Sequence, residues 1–119
     1  MITGVGIDVV EIDRISDAFE THGESFLRRI YTERELIYCG KRKKLKFPEL
    51  AVRFAAKEAY SKAIGTGMRG IRWKQIEVVN NSRGKPHIAV SGKILEKAHL
   101  SLSHSRDYAV ASVVLEEIE

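Results

Sequence analysis

An aromatic, an acid and two bases recur at helical spacing between Arg53 and Lys62, in the run RFAAKEAYSK. On a helix Phe54, Glu58 and Lys62, four residues apart, stack in one line, and Lys57 and Ser61 form a second line beside it. The same spacing also describes an ordinary exposed ion pair, Glu58 preceding Lys62, which contributes only about 0.2–0.5 kcal/mol. A second carboxylate, Asp8, falls in Ile2–Val10, an apolar run rich in β-branched residues that reads as a strand. Alternation puts Gly4, Gly6 and Asp8 on one face, where two positions without side chains are expected to leave open volume for a ligand or metal. Alternatively, Asp8 caps the next helix, with Glu11 three residues on completing something like a capping box.

Two carboxylates in ordered elements are hard oxygen ligands that suit Mg²⁺, which takes one or two protein carboxylates and completes its shell with waters and substrate phosphates. Lys57, Lys62, Lys85 and His104 then supply positive charge around those phosphates. Other chemistries fit less well. The four histidines, at 22, 87, 99 and 104, show no paired helical spacing for zinc, and Cys39 is a lone cysteine. Ser103, His104 and Asp107 lack a nucleophile elbow, and neighbours on a strand point to opposite faces. The glycines at 65, 67 and 70 match neither common nucleotide fingerprint.

The elements that must position these groups follow from periodicity. Glu11–Phe19 reads as a helix with Ile12, Ile15, Ala18 and Phe19 inward, and Glu24–Ile30 as a second with Phe26, Leu27 and Ile30 inward. Thr32 with Glu35 makes a capping box for a third. Pro48 opens a long fourth helix whose core side is assigned to Leu50, Ala51, Ala55, Tyr60, Ala63 and Ile64, and which stops at Gly65. Trp73–Val79 and His87–Val90 form a hairpin around Asn80–Gly84, closed by Lys85 and Pro86. Gly92–Ala98 is expected to be a short helical crossover. Two strands finish the chain: one with Leu100, Leu102 and His104 on one face, where His104 reads as a hydrogen-bonded core residue, and Tyr108–Leu115, small or β-branched throughout.

Composition sets the outer bounds. The 119 residues, 44% hydrophobic and 30% charged, fit one globular domain spanning 1–119. No apolar run is long enough for a membrane helix, and Asp8 and Glu11 stand where a signal peptide carries lysines, so a cytoplasmic protein without a membrane partner is expected. Twenty Lys plus Arg against sixteen Asp plus Glu give a net charge of +4, which favours anionic partners. The densest basic run, Lys41–Lys46, reads as a solvated loop.

Three segments, GIDVVEIDRI at 6–15, RFAAKEAYSKAIGTG at 53–67 and LSLSHS at 100–105, resemble the phosphopantetheinyl transferases of the small holo-acyl-carrier-protein synthase type. They occur in that family's order, and the similarity extends over nearly the whole chain. The resemblance implies Mg²⁺-dependent transfer of the 4'-phosphopantetheine arm of coenzyme A to a serine of apo acyl carrier protein, releasing adenosine 3',5'-bisphosphate and supporting fatty acid biosynthesis. It implies that Asp8 and Glu58 hold the Mg²⁺ and that Lys62 contacts the transferred phosphate. Arg53, Phe54, Lys57, Ser61, Gly65, Gly67, Gly84, Lys85, Pro86, His104 and Ser105 would line the coenzyme site. Arg14, Arg28 and Arg29 would meet the acidic carrier protein, and a homotrimer would carry its sites at subunit interfaces. For the general base, a water activated by the cation, Glu58 and Glu35 all stand as candidates.

The fold expected is α+β, with N-terminal helices packed on a small, mainly antiparallel sheet formed by the second half and the first strand. Two other functions remain open from the residues alone. One is a noncatalytic RNA-binding protein whose footprint is Lys41–Lys46, Arg69, Arg72 and Trp73. The other is an adaptor for acidic proteins. The enzyme reading expects no nucleic-acid partner.

Overall fold

The computed structural model describes residues 1–117. β1 (Ile2–Glu11) leads into α1 (Ile12–His22), α2 (Glu24–Ile30), α3 (Glu33–Tyr38) and the long α4 (Phe47–Ile64). A 3-10 turn at Trp73–Gln75 then precedes β2 (Ile76–Asn80), β3 (Pro86–Val90), β4 (Lys93–Ile94), β5 (Ala98–His104) and β6 (Tyr108–Glu116). The class is α+β, as the sequence indicates, but the strands form two antiparallel three-stranded sheets, β1-β6-β5 and β2-β3-β4.

Local signals place the helices well. Thr32 accepts from the Glu35 amide at 3.2 Å while Glu35 accepts from the Thr32 amide at 2.9 Å, so the capping box forms as expected. Pro48 sits in the first turn of α4, and Gly65 caps its end at φ 88°, a left-handed conformation that glycine adopts without a Cβ penalty. β6 is central in its sheet, and Ala109, Ala111 and Val113 point from it at α4.

α4 is the axis of the fold. The first sheet covers one side, while α1 and β2 contact others. Leu50, Ala51, Val52, Ala55, Ala56, Ala59 and Ala63 are buried, and so are Arg53, Lys57 and Ser61. A helix enclosed this way has no solvent stripe for periodicity to reveal. Hence the expected core side is only partly right: Tyr60 is half-buried and Ile64 is exposed.

Three expectations change. Trp73 begins a 3-10 turn, not a strand. Segment 92–98 contains no helix: Gly92 at φ 85° turns the chain, and Lys93–Ile94 pairs with Val90 and Ala89. Its apolar spacing imitated a helix where strand pairing won. His104 is exposed at the end of β5 and not a core residue.

Candidate active site

β1 and α4 touch backbone to backbone. A Cβ on Gly6 would lie 1.9 Å from the Ala59 carbonyl oxygen, and one on Gly4 would lie 2.1 Å from that of Ala63. The expected open volume above these glycines is therefore occupied by the helix itself. Their missing side chains instead permit the approach that brings Asp8, next on the same strand face, against Glu58 and Lys62, which precede Ala59 and Ala63. The Lys62 ammonium donates to Asp8 Oδ1 and to the Ile7 carbonyl, each at 3.0 Å. Asp8 is thus not the cap of α1, which begins after an uncapped Glu11. Glu58 is half-buried, and its pKa is raised first by burial and then by the negative charge of Asp8, against the pull of Lys62 and Arg14. Two mutually repelling carboxylates beside an ammonium form a site at which a divalent cation would relieve the repulsion.

The opposite flank of α4 carries a different cluster. Arg53 is only 1% exposed, and it donates through one terminal nitrogen to the Glu49 carbonyl and carboxylate and through the other to Asn80 Oδ1 at 2.7 Å. Its guanidinium carbon lies 4.3 Å from the Tyr38 ring centroid, and its Nε has no hydrogen-bond partner among the described residues. A cavity of about 370 Å³ opens here, lined by Arg53, Tyr38, Asn80, Gly84, Pro86 and His104.

Between the flanks runs a buried tie. The Lys57 ammonium, fully enclosed, donates to Glu35 Oε1 at 2.6 Å, to the Ile30 carbonyl at 2.7 Å and to the Trp73 carbonyl at 3.2 Å. Burial pushes the Lys57 pKa down, and Glu35 opposes that shift. The other Glu35 oxygen accepts from the Val78 amide at 2.9 Å. Removing one member of such a pair typically costs about 3–5 kcal/mol, because the other charge is left buried alone.

Residues 4–113 match the family model described as the 4'-phosphopantetheinyl transferase superfamily. The chain belongs to that superfamily. It is 46% identical to the holo-[acyl-carrier-protein] synthase of Halothermothrix orenii, over 98% of this chain and 99% of that one. It is also similar to the holo-(acyl-carrier-protein) synthase of Bacillus anthracis solved in complex with CoA (3',5'-ADP), with TM-score 0.84, 43% identity and 99% of each chain covered. A third likeness is to the Helicobacter pylori holo-[acyl-carrier-protein] synthase in complex with coenzyme A, with TM-score 0.83 and 29% identity over 94% of this chain and 99% of that one.

The residues expected at the transferase site divide into five groups. Asp8, Glu58 and Lys62 come together. Arg53, Gly84, Pro86 and His104 also come together, on the cavity of the other flank, with Lys85 at the exposed hairpin tip beside it. Gly65 and Gly67 follow α4 directly, at positive φ, with open space where a Cβ would point. Phe54 is half-buried, stacked on Trp73 with ring centroids 4.8 Å apart, and Arg14 approaches the same Phe54 ring at 5.9 Å. Arg28 and Arg29, in the last turn of α2, line a larger groove of about 880 Å³ with Arg72, Trp73 and Lys74.

Some assignments fail on geometry. Lys57 faces no cleft and has all three protons engaged inside the protein, so it is not a coenzyme ligand. Ser61 is fully buried and donates to the Glu58 carbonyl at 2.7 Å, so it makes no coenzyme contact within this chain. Glu35 is withdrawn as a base because its carboxylate is enclosed with Lys57. Ser105 closes the β5–β6 turn, its amide donating to the Tyr108 carbonyl at 2.8 Å while its hydroxyl accepts from the Tyr108 amide at 3.3 Å. Tyr38, Asn80 and Glu49, which hold Arg53, have no motif to announce them; only the turn composition around Asn80 hinted at a loop there.

Proposed function

We propose that this chain transfers the 4'-phosphopantetheine arm of coenzyme A to a serine hydroxyl of apo acyl carrier protein, releasing adenosine 3',5'-bisphosphate, as one domain and in support of fatty acid biosynthesis. The observation that carries the reading is the convergence of Asp8, Glu58 and Lys62 at the glycine crossing, in a chain of this superfamily. The donor set fits Mg²⁺: Asp8 and Glu58 are hard oxygen ligands, and a magnesium site needs no third protein carboxylate when substrate phosphates complete it. When bound, the cation neutralises charge on the pyrophosphate of coenzyme A.

The residues of the chain account for the rest. Lys62, exposed at its tip, provides a second positive charge for the phosphoryl oxygens as charge spreads over them. The serine oxygen forms a bond to the β-phosphorus in line as the bond to the bridging oxygen breaks, and the bisphosphate leaves with that electron pair. With Glu35 enclosed, Glu58 is the remaining carboxylate candidate to accept the serine proton, beside a water activated by the cation. Arg14 on α1, with Arg28 and Arg29 on α2, draws in the acidic carrier protein.

The second cluster supports a homotrimer with shared sites. Arg53 and Glu58 are five residues apart on one helix, which puts them about 140° around its axis. One coenzyme reaches both only if a neighbouring copy brings its Arg53 flank against the Glu58 flank. The outer face of the first sheet, where Val5, Ile7 and Val9 are 58–63% exposed, is an apolar surface suited to such packing. The free thiol of Cys39 fits a reducing, cytoplasmic setting. Among the described residues no helix is long and apolar enough to cross a membrane.

Intact-mass analysis of apo carrier protein with coenzyme A and Mg²⁺ tests the proposal: one phosphopantetheine should be added, and omission of either reagent should prevent it. Carrier binding without a mass change would leave an adaptor. Glu58→Gln should remove metal affinity and most turnover, and undiminished Mg²⁺-dependent transfer by that variant would overturn the site. RNA binding has less support, since Lys41 pairs with Glu33 and the Trp73 ring lies on Phe54.

A further inference from the structure

Lys57 and Glu35 are ionised groups enclosed where an apolar pair of similar volume would often serve stability as well. What distinguishes them is connectivity. Lys57 gathers the carbonyl at the end of α2, the carboxylate of α3 and the carbonyl of Trp73. Glu35 adds the Thr32 amide and, through its second oxygen, the Val78 amide of β2. One pair therefore locks five segments together: α4, the end of α2, α3, the Trp73 turn and β2. Two of them, the end of α2 with Arg28 and Arg29 and the turn with Trp73, line the same 880 Å³ groove. The indole then stacks on Phe54 at an interplanar angle of 22°, and Phe54 lies one turn before Glu58 on α4.

We infer that Glu35 and Lys57 are positioning residues for the acceptor side of the site: by pinning Trp73 against Phe54 and fixing its distance from Arg28 and Arg29, they set the surface that receives the carrier protein without touching either substrate. The inference rests on the transferase reading, and Lys57 exchanges an expected coenzyme role for one on the opposite substrate.

The test is the double substitution Glu35→Gln with Lys57→Met, which removes both charges together and leaves no buried charge unpaired. Trp73 is the only tryptophan, so its emission and near-ultraviolet dichroism report the Phe54 stack directly. The folded variant should show red-shifted emission, weakened aromatic dichroism and a KM for carrier protein raised about tenfold, while the KM for coenzyme A stays within about twofold, as expected when small misplacements act on one partner. Wild-type emission with unchanged KM for the carrier would overturn the inference, as would a rise confined to coenzyme A. If the variant does not fold, hydrogen exchange on the wild-type protein decides: the Val78 and Gln75 amides should exchange as slowly as those of α4, and exchange as fast as the 66–70 loop would refute the tie. A wild-type protein that transfers nothing would sink the transferase reading alone, because the spectral and exchange measurements need no substrate.

Discussion

At the scale of single residues, enclosure decides which chemical groups remain available. Burial pushes the Cys39 thiol from 9.0 up to about 12, and it raises Tyr31 in the same direction. For a group whose folded pKa lies above its unfolded one, the stabilising protonated form is fully present below the unfolded value and is lost as pH rises through the folded value. The melting temperature should therefore stay level to about pH 8.5 and fall from pH 9 towards 12, and Cys39→Ala should make that fall shallower, as scanning calorimetry can measure. Native protein at pH 8 should resist iodoacetamide on the timescale that labels an unfolded control; rapid native labelling would contradict the assignment. The same enclosure explains which site residues the sequence could identify. Asp8, Glu58 and Lys62 are legible because strand alternation and four-residue spacing fix their faces. Lys57 and Ser61 are not, because that spacing tells which residues align along a helix, not which line faces water. Glu35 was legible as a cap, yet its second oxygen, held by Val78 forty-three residues later, follows from tertiary packing alone.

At the scale of elements, the crossing of β1 over α4 builds the metal-binding side of the proposed site. Gly6→Ala places a methyl where the Ala59 carbonyl oxygen already stands, at 1.9 Å, and backbone cannot swing aside as a side chain can. Overpacking of this kind costs about 1–3 kcal/mol and should lower the melting temperature by several degrees. The substitution also moves Asp8 away from Glu58, so transfer at a temperature where the variant is fully folded should fall by about tenfold or more. A variant that melts early but transfers at the wild-type rate when folded would separate the crossing from the chemistry. Helices with sequence punctuation, such as the Thr32 capping box, Pro48 and Gly65, were readable to within a residue or two. The turn at Trp73 and the two-residue β4 were not, because their local residues favour strand and helix respectively. The Lys57 bond to the Trp73 carbonyl and the pairing of Lys93–Ile94 with β3 override those preferences.

At the scale of the whole molecule, the two clusters on opposite flanks of α4 are what the proposed homotrimer with shared sites rests on. His104, exposed beside the Arg53 cavity and outside the core, is the least disruptive residue with which to disable that half of the proposed site. His104→Ala should raise the KM for coenzyme A while the fold and the sedimentation coefficient of a trimer stay unchanged. Glu58→Gln disables the other half. If each site draws its Glu58 from one copy and its His104 from the next, mixing the two variants and allowing subunits to reassort at equal amounts regenerates intact sites at about a quarter of the interfaces, since each interface needs the right half from each side. At coenzyme A well below the KM of the His104→Ala variant, transfer should then climb above the average of the two preparations, and a component with the wild-type KM for coenzyme A should appear. If both halves instead serve one copy, no mixture contains an intact site, and activity stays at the simple average of the two preparations. Because the readout is recovery, not loss, nonspecific damage by either substitution cannot imitate it.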